Sequence, residues 1–359
     1  MKLYSAESLV RAIKQGEIIQ NAQLDALSLS GLDLSGGCFI EVNFNAANFS
    51  GCNLHDTQFS ECTLNGAVFS AANLVETLFN QCSMTGANFA DCVFQDCLFN
   101  QCQLEEGDFD STIHLNTQFN DGSLEESRFS FASLEKSGFI DTSVLGADFS
   151  DVDCQHGTLM NLDLRTTILR DSTFSRSVFF RCDHRENAYS GQDFTGCQFT
   201  ENKLDLVDFS RATLVQCNFS QASLQQANLC DVNAAQALFP GANLSEARCQ
   251  RGQFNQAVFS AAVLTGSDFS GAHLFQTVMQ NCQASGARFN HCELGNSDFS
   301  NADVSKADFR DAHFIRSRFH RAQQDDAQFS SRSGIIEKDE ALFAAQDWRS
   351  SRASNNITR

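Results

Sequence analysis

Fifteen cysteines, eight histidines and forty-four acidic side chains are the residues of this 359-residue chain that could do chemistry. Thiols and imidazoles hold metals, and paired thiols form disulfides or redox centres. The spacing supports none of these. No two cysteines stand in a Cys-x-x-Cys pair, and His291-Cys292, the one adjacent His-Cys pair, alternates an outward with an inward position, which is poor for shared ligation. Ser and Asp are abundant but recur too evenly for a triad to stand out, and the sequence has neither a Gly-rich phosphate loop nor a nucleophile elbow. The expectation is no catalytic residue, no metal, no cofactor and no enzyme.

The elements that would position these residues explain their number. From Leu24 to Phe329 every fifth residue is a centre, and of the 62 centres all but His114, Cys154, His184, Ala234, Cys249, Ala284 and Gln324 are Leu, Phe, Met, Val or Tyr. The frame never slips, and 30 of the 34 Phe fall in it; the exceptions are Phe131, Phe180, Phe275 and Phe343. Two residues before each centre stands a small side chain, as in Ala47, Cys52, Thr57, Cys62, Ala67 and Ala72. Eleven cysteines occupy that small position (52, 62, 82, 92, 97, 102, 182, 197, 217, 282 and 292), two are centres (154 and 249), and only Cys38 and Cys230 point outward. They read as small buried apolar residues, with thiols suited to a reducing compartment.

A period of five fits neither a helix nor a strand. It suits a chain that turns a corner every five residues, so that four sides close a coil of 20 and stacked coils bury a shared core. Centres ending in 9 are Phe in 24 of 31 cases; those ending in 4 are Leu in 16 and Phe in only six. Phe ladders are therefore expected on two opposite walls and Leu mainly on the other two, since large rings on all four would overpack the interior.

Segments such as Ala47-Asn48-Phe49-Ser50-Gly51 and Ala242-Asn243-Leu244-Ser245-Glu246 resemble the consensus of the pentapeptide repeat family, over about 85% of the chain. The resemblance implies an all-β fold, a right-handed quadrilateral β-helix of about 15 coils and roughly 70 Å at a strand spacing of ~4.8 Å. Residues 1–20 are expected as a helical cap, 21–331 as the repeat rod, and 332–359 as a C-terminal helix and disordered tail. Ser5 is the expected N-cap, with Leu9, Val10 and Ile13 as apolar stripe and Gly16 as stop. Leu342, Phe343 and Trp348 either cap the other end or form a homodimer contact. Residues 183–192, with His184 at a centre and Asn187 and Gln192 at small positions, read equally as a bulged loop or an imperfect coil.

Charge gives the functional lead. The formal net charge is -19, which disfavours direct nucleic-acid binding. Residues 15–127 contain no Lys or Arg but 16 acidic side chains. With a coil of 20, Asp56, Glu76 and Asp96 stack in one outward column, Glu41, Glu61 and Asp121 in the next, and Asp25, Glu105 and Glu125 in the one after. These columns are either a solubilising surface or a docking surface for a basic protein. The resemblance implies two functions. One is a bacterial protein-interaction scaffold, such as a secretion-system effector or accessory protein. The other is a DNA mimic that binds and protects or inhibits a type II topoisomerase, DNA gyrase, through its acidic N-terminal coils. With no apolar run for a signal peptide or a membrane span, the expected location is the cytoplasm, with specialised export left open.

Overall fold

The computed structural model describes residues 4–347. A short helix, α1 (Ala6–Lys14), opens it. Ser5 caps α1 in a capping box with Ser8, and Gly16 takes the left-handed conformation (φ +72°) just beyond its end. Leu9, Ala12 and Ile13 are buried against the first coil, covering an edge that would otherwise be bare.

From Ile19 the chain winds as a parallel β-solenoid of about 16 turns, one more than the repeat count suggests. Until the last turn, every coil repeats the one before it at a register of 20 residues, as in Phe39↔Phe59 and Asp183↔Lys203. Each coil has four walls, which we number from the centre column of Ile19 and Phe39 (first), through Leu24 and Phe44 (second) and Leu29 and Phe49 (third), to Leu34 and Leu54 (fourth). The last turn closes where Ser317 and Arg318 pair with Ile335 and Ile336.

The interior follows from the alternation of centres. On the first wall Phe39, Phe59, Phe79, Phe99, Phe119 and Phe139 form a ladder with ring centroids 4.8–5.0 Å apart. On the third, Phe49, Phe69, Phe89, Phe109, Phe129 and Phe149 stack at 4.6–4.9 Å. Across the core the ladders meet edge to face, as with Phe109 and Phe119 at 5.8 Å and 90°. Stacking and edge contacts add ~0.5–1.5 kcal/mol per pair to the burial of each ring. Both ladders break together at Leu159 and Leu169, beside a cavity of about 10 Å³ lined by Phe139, Phe149, Cys154 and Phe174 among others, room for one water.

Corners divide the rod into two forms. From Asn73 to Phe180 the corners after the fourth and first walls lack the bond from the inward N–H to the carbonyl three residues back, and those walls run as three-residue strands such as Asn73–Val75 and Leu78–Asn80. From Phe194 to Phe309 every corner makes that bond (Cys197 N to Phe194 O is 2.9 Å), and pairing narrows to single-residue bridges. The open corners carry mostly Cys, Thr or Ser inward, the closed ones most often Ala. The bulkier side chains favour the more extended backbone.

Residues 183–192 are coil, not loop: Asp183 pairs with Asp163 and Lys203, and Ala188 with Asp208. The polar centres are accommodated by a buried network. His184 Nδ1 meets Tyr189 Oη at 2.8 Å, Asn187 Nδ2 donates to Leu164 O at 2.9 Å and to Tyr189 Oη at 3.0 Å, and Gln192 Nε2 donates to Leu169 O at 2.8 Å.

Candidate interaction surface

All fifteen cysteines are free thiols, and all but Cys38 are buried. Cys230 points outward as the frame requires, yet it is covered, with Sγ 2.9 Å from Gln250 Oε1. Burial pushes Cys92, Cys97 and Cys154 up to about 11, and the neighbouring Cys102 thiol, with burial added, pushes Cys82 up to about 12, far from a reactive thiolate. Among the described residues no group of three His, Cys, Asp or Glu is placed to hold a metal ion. What the fold offers a partner is its outer surface.

That surface is set by the corner. The second residue after nearly every centre is left-handed, with φ near +55° where it is not Gly, and its side chain stands clear of the rod. Asp56 (φ 54°), Glu76 (55°) and Asp96 (54°) line the corner leading into the first wall; Glu41 (52°), Glu61 (53°) and Asp121 (52°) line the corner leaving it. All six are exposed. Two carboxylate columns thus border one flat face. Glu105 and Glu125 sit one corner further on, beside Glu106 and Glu126, and Asp25 is exposed in the same column.

Their partners are neutral. Asp96 accepts from Asn116 Nδ2 at 2.8 Å, Glu105 from Thr85 Oγ1 at 3.2 Å and Glu125 from Ser143 Oγ at 2.8 Å. Among the described residues no Lys or Arg pairs with the expected contact residues Glu41, Asp56, Glu61, Glu76, Asp96, Glu105, Asp121 and Glu125, whereas Asp108 and Asp110 share Arg128 at 2.6 and 3.0 Å.

Beyond the break in the ladders the pattern reverses. Arg165 pairs with Asp163, Arg185 with Asp183, Arg251 with Asp231 and Arg310 with Asp308, each at 2.7 Å, and Arg181 pairs with Glu201 at 2.8 Å. Hydrogen bonds from these arginines hold Asp163, Asp231 and Asp308 below the usual carboxylate range. For Asp183 partial burial pushes the other way, and Arg185 overcomes it.

At the carboxyl end, helix α2 (Glu340–Asp347) lies against the final coil: the Phe343 ring meets His320 edge-on at 5.9 Å and lies under Arg321 (4.7 Å) and Lys338 (4.4 Å). Phe343 is thus engaged within its own chain. Trp348 and the side chain of Leu342 lie outside the described residues. Nearby, Gln276, Asn296, Arg316, Arg318 and Ile336 line an open recess of about 490 Å³.

Sequence reasoning missed the apolar side chains set among the carboxylates. Val93, Ile113 and Phe131 are 50%, 52% and 67% exposed. The available signal was an apolar residue where the repeat elsewhere places Asn, as at Asn53 and Asn73, and a Phe out of frame. Among the described residues no helix is long and apolar enough to cross a membrane.

Comparison with known proteins places the chain by its repeat. A family model described as pentapeptide repeat region matches residues 32–109 and 252–329, and one described as pentapeptide repeats (8 copies) matches 190–221 and 222–260, together more than half of the chain. No curated protein matches. Among solved structures, full-length QnrB1, a plasmid-mediated fluoroquinolone resistance protein, is 17% identical, covering 59% of this chain and 96% of its own with a TM-score of 0.25. HetL from the cyanobacterium Nostoc sp. strain PCC 7120, involved in heterocyst differentiation regulation, is 14% identical over 88% of this chain and 97% of its own, with a TM-score of 0.19. A pentapeptide repeat protein of the Arabidopsis thaliana thylakoid lumen is 31% identical over 30% of this chain and 70% of its own, with a TM-score of 0.18.

Proposed function

We propose, from the premise that this chain belongs to the pentapeptide repeat family, that it is a non-catalytic scaffold which engages a basic protein through its acidic amino-terminal coils. One observation carries this reading: cations answer many carboxylates of the second half of the rod, and among the described residues none answers Glu41, Asp56, Glu61, Glu76, Asp96, Glu105, Asp121 or Glu125. A surface needed only for solubility gains nothing from keeping one sign apart from the other. Unpaired charge of one sign steers an opposite partner and weakens with salt. The test is capture of partners from the native host with the full chain and with a variant carrying the amide at all eight positions. A specific basic protein, lost with the variant and at high salt, is the expected result. Capture that ignores the eight substitutions overturns the proposal.

A second reading, mimicry of duplex DNA towards DNA gyrase, draws on the two carboxylate columns bordering the flat first wall. Each column offers at most one charge per coil, ~4.8 Å apart, against one per ~3.4 Å along a DNA strand. The columns are also interrupted, by Gln81 and Gln101 on one side and by Asn116 on the other. This reading expects the pure protein to alter gyrase supercoiling at low salt; no binding and no change in supercoiling would sink it.

A further inference from the structure

We infer that the outer face of the fourth wall between Asn73 and Phe131 is a docking surface for a basic amphipathic helix of a partner protein; the inference deepens the scaffold reading above and rests on it.

Val93 and Ile113 lie in register on adjoining strands of that wall, each about half exposed, with Val75 and Leu115 half-buried on the same face. One coil beyond Ile113, at the corner leading into this wall, Phe131 stands 67% exposed with φ 62°. A bulky aromatic is costly in the left-handed region, ~1–2 kcal/mol, and most corners of this chain avoid one. One coil before and one coil after, the outward positions are polar: Asn73, paired with Val93, donates to Asn53 at 2.9 Å, and Ser133 follows Ile113. The apolar strip is therefore local, and nothing in the fold of its own coil requires it.

Carboxylates border the strip on both sides. Asp91 is exposed at the corner before the wall, and Asp56, Glu76 and Asp96 are exposed at the corner after it. The basic side chains on adjoining coils are already engaged, Arg128 by Asp108 and Asp110 and Lys136 by Glu135 at 3.4 Å. An anionic nucleic acid or membrane is repelled here. A helix laid along the rod fits: its ~5.4 Å pitch nearly matches the ~4.8 Å step between coils, so successive apolar residues meet Val93, Ile113 and Phe131 while flanking Lys or Arg reach the two acidic borders. Duplex mimicry has no use for these apolar groups, so the strip favours a protein partner.

The probe is a synthetic helical peptide of roughly 18 residues with a Leu stripe and Lys flanks, set against a scrambled isomer of equal charge, each titrated into the full chain. The native protein is expected to bind the patterned peptide about tenfold tighter than the scrambled one. Val93→Thr, Ile113→Thr and Phe131→Asn together should erase that preference with an unchanged circular dichroism spectrum, because Thr keeps the branched strand shape and Asn tolerates the left-handed corner. Asp56→Asn, Glu76→Gln and Asp96→Asn should weaken both peptides alike and flatten the salt dependence. Equal binding of the two peptides, no binding of either, or a preference that survives the apolar triple variant overturns the docking surface. The scaffold reading stands or falls separately, on whether neutralising the eight carboxylates abolishes capture of a host partner.

Discussion

The coils before the break at Leu159 and those after it share one core plan and differ on the outside. Before it, exposed carboxylates such as Asp96 and Glu125 are answered by amides and hydroxyls; after it, many, such as Asp163, Asp231 and Asp308, are answered by arginine. In a solenoid each coil touches only its neighbours, so stability is close to a sum of local terms. The surface of one region is therefore free to diverge from that of the other without disturbing the packing beneath. The separation of sign along the rod is a property of the sequence that the fold tolerates and does not demand.

If the cores are equivalent, removing a ladder ring must cost the same in each region. Phe79→Ala and Phe219→Ala each delete a fully buried ring stacked on both sides, at 5.0 and 4.8 Å for Phe79 and 5.0 and 5.0 Å for Phe219. Each should cost ~3–5 kcal/mol in urea unfolding. A difference larger than about 1 kcal/mol would mean that the open and closed corners also change core packing, and the comparison would no longer be one of surfaces.

The next effect separates the two buried histidines. Burial lowers both His114 and His184 to about 3 from 6.5, so on acidification the unfolded chain takes up the protons first. Their contribution is intact above about pH 6.5 and is lost as pH falls from there towards 3, ~2 kcal/mol per histidine by pH 5. Their surroundings differ. His184 is bonded to Tyr189 and lies 3.4 Å from Asn202 Nδ2. His114 stacks on Phe94 at 4.5 Å and meets Thr112 Oγ1 at 2.9 Å, but its Nδ1 has no partner. His114→Leu, the residue most common on the non-Phe walls, should therefore stabilise the amino-terminal region by ~1–2 kcal/mol, whereas His184→Leu strips partners from a buried network and should destabilise by ~1–3 kcal/mol. Hydrogen exchange at pH 7 and pH 5, resolved coil by coil, checks both signs; equal behaviour of the two variants would refute the distinction.

The histidines also mark how far the sequence could be read. The five-residue frame made the coil of 20, the inward cysteines and the paired Phe ladders legible, because each of these depends on one residue and its neighbours at fixed steps. It also located the carboxylate columns, since a column is the register written along one corner. It left residues 183–192 open between loop and coil, because the polar inward residues there are satisfied by side-chain amides donating to main-chain carbonyls 23 residues back, Asn187 to Leu164 and Gln192 to Leu169. It passed over Val93, Ile113 and Phe131 because a frame that explains inward residues assigns every outward one to solvent. The division into open and closed corners was equally hidden, since both forms keep the same period.

Salt should move the two regions in opposite directions. Screening relieves repulsion along columns such as Asp56, Glu76 and Asp96 and weakens attraction in pairs such as Arg181 with Glu201. Exposed charge contacts are worth only ~0.2–1 kcal/mol each. Raising the salt should therefore slow amide exchange slightly in coils 39–121 and hasten it slightly in coils 163–310. A common direction would show that charge pairing is not what distinguishes the regions.

The smallest effect isolates the charge from the corner that carries it. Glu61 (φ 53°) and Gln221 (φ 60°) occupy the same corner column, eight coils apart, and both are exposed. Glycine at either site removes the ~1 kcal/mol cost of a left-handed non-glycine residue and adds a comparable entropic cost in the unfolded chain, so Gln221→Gly should change stability by only a few tenths of a kcal/mol. Glu61→Gly removes the same strain and also a carboxylate one coil from Glu41, in the stretch of the column from Glu41 to Asp121 that holds no cation. Its gain should exceed that of Gln221→Gly at low salt, and the difference should vanish when the charges are screened. If the two glycine variants differ equally at low and high salt, the unpaired carboxylates impose no electrostatic cost on the rod. The acidic face would then be free of the stability penalty that a selected docking surface is expected to bear.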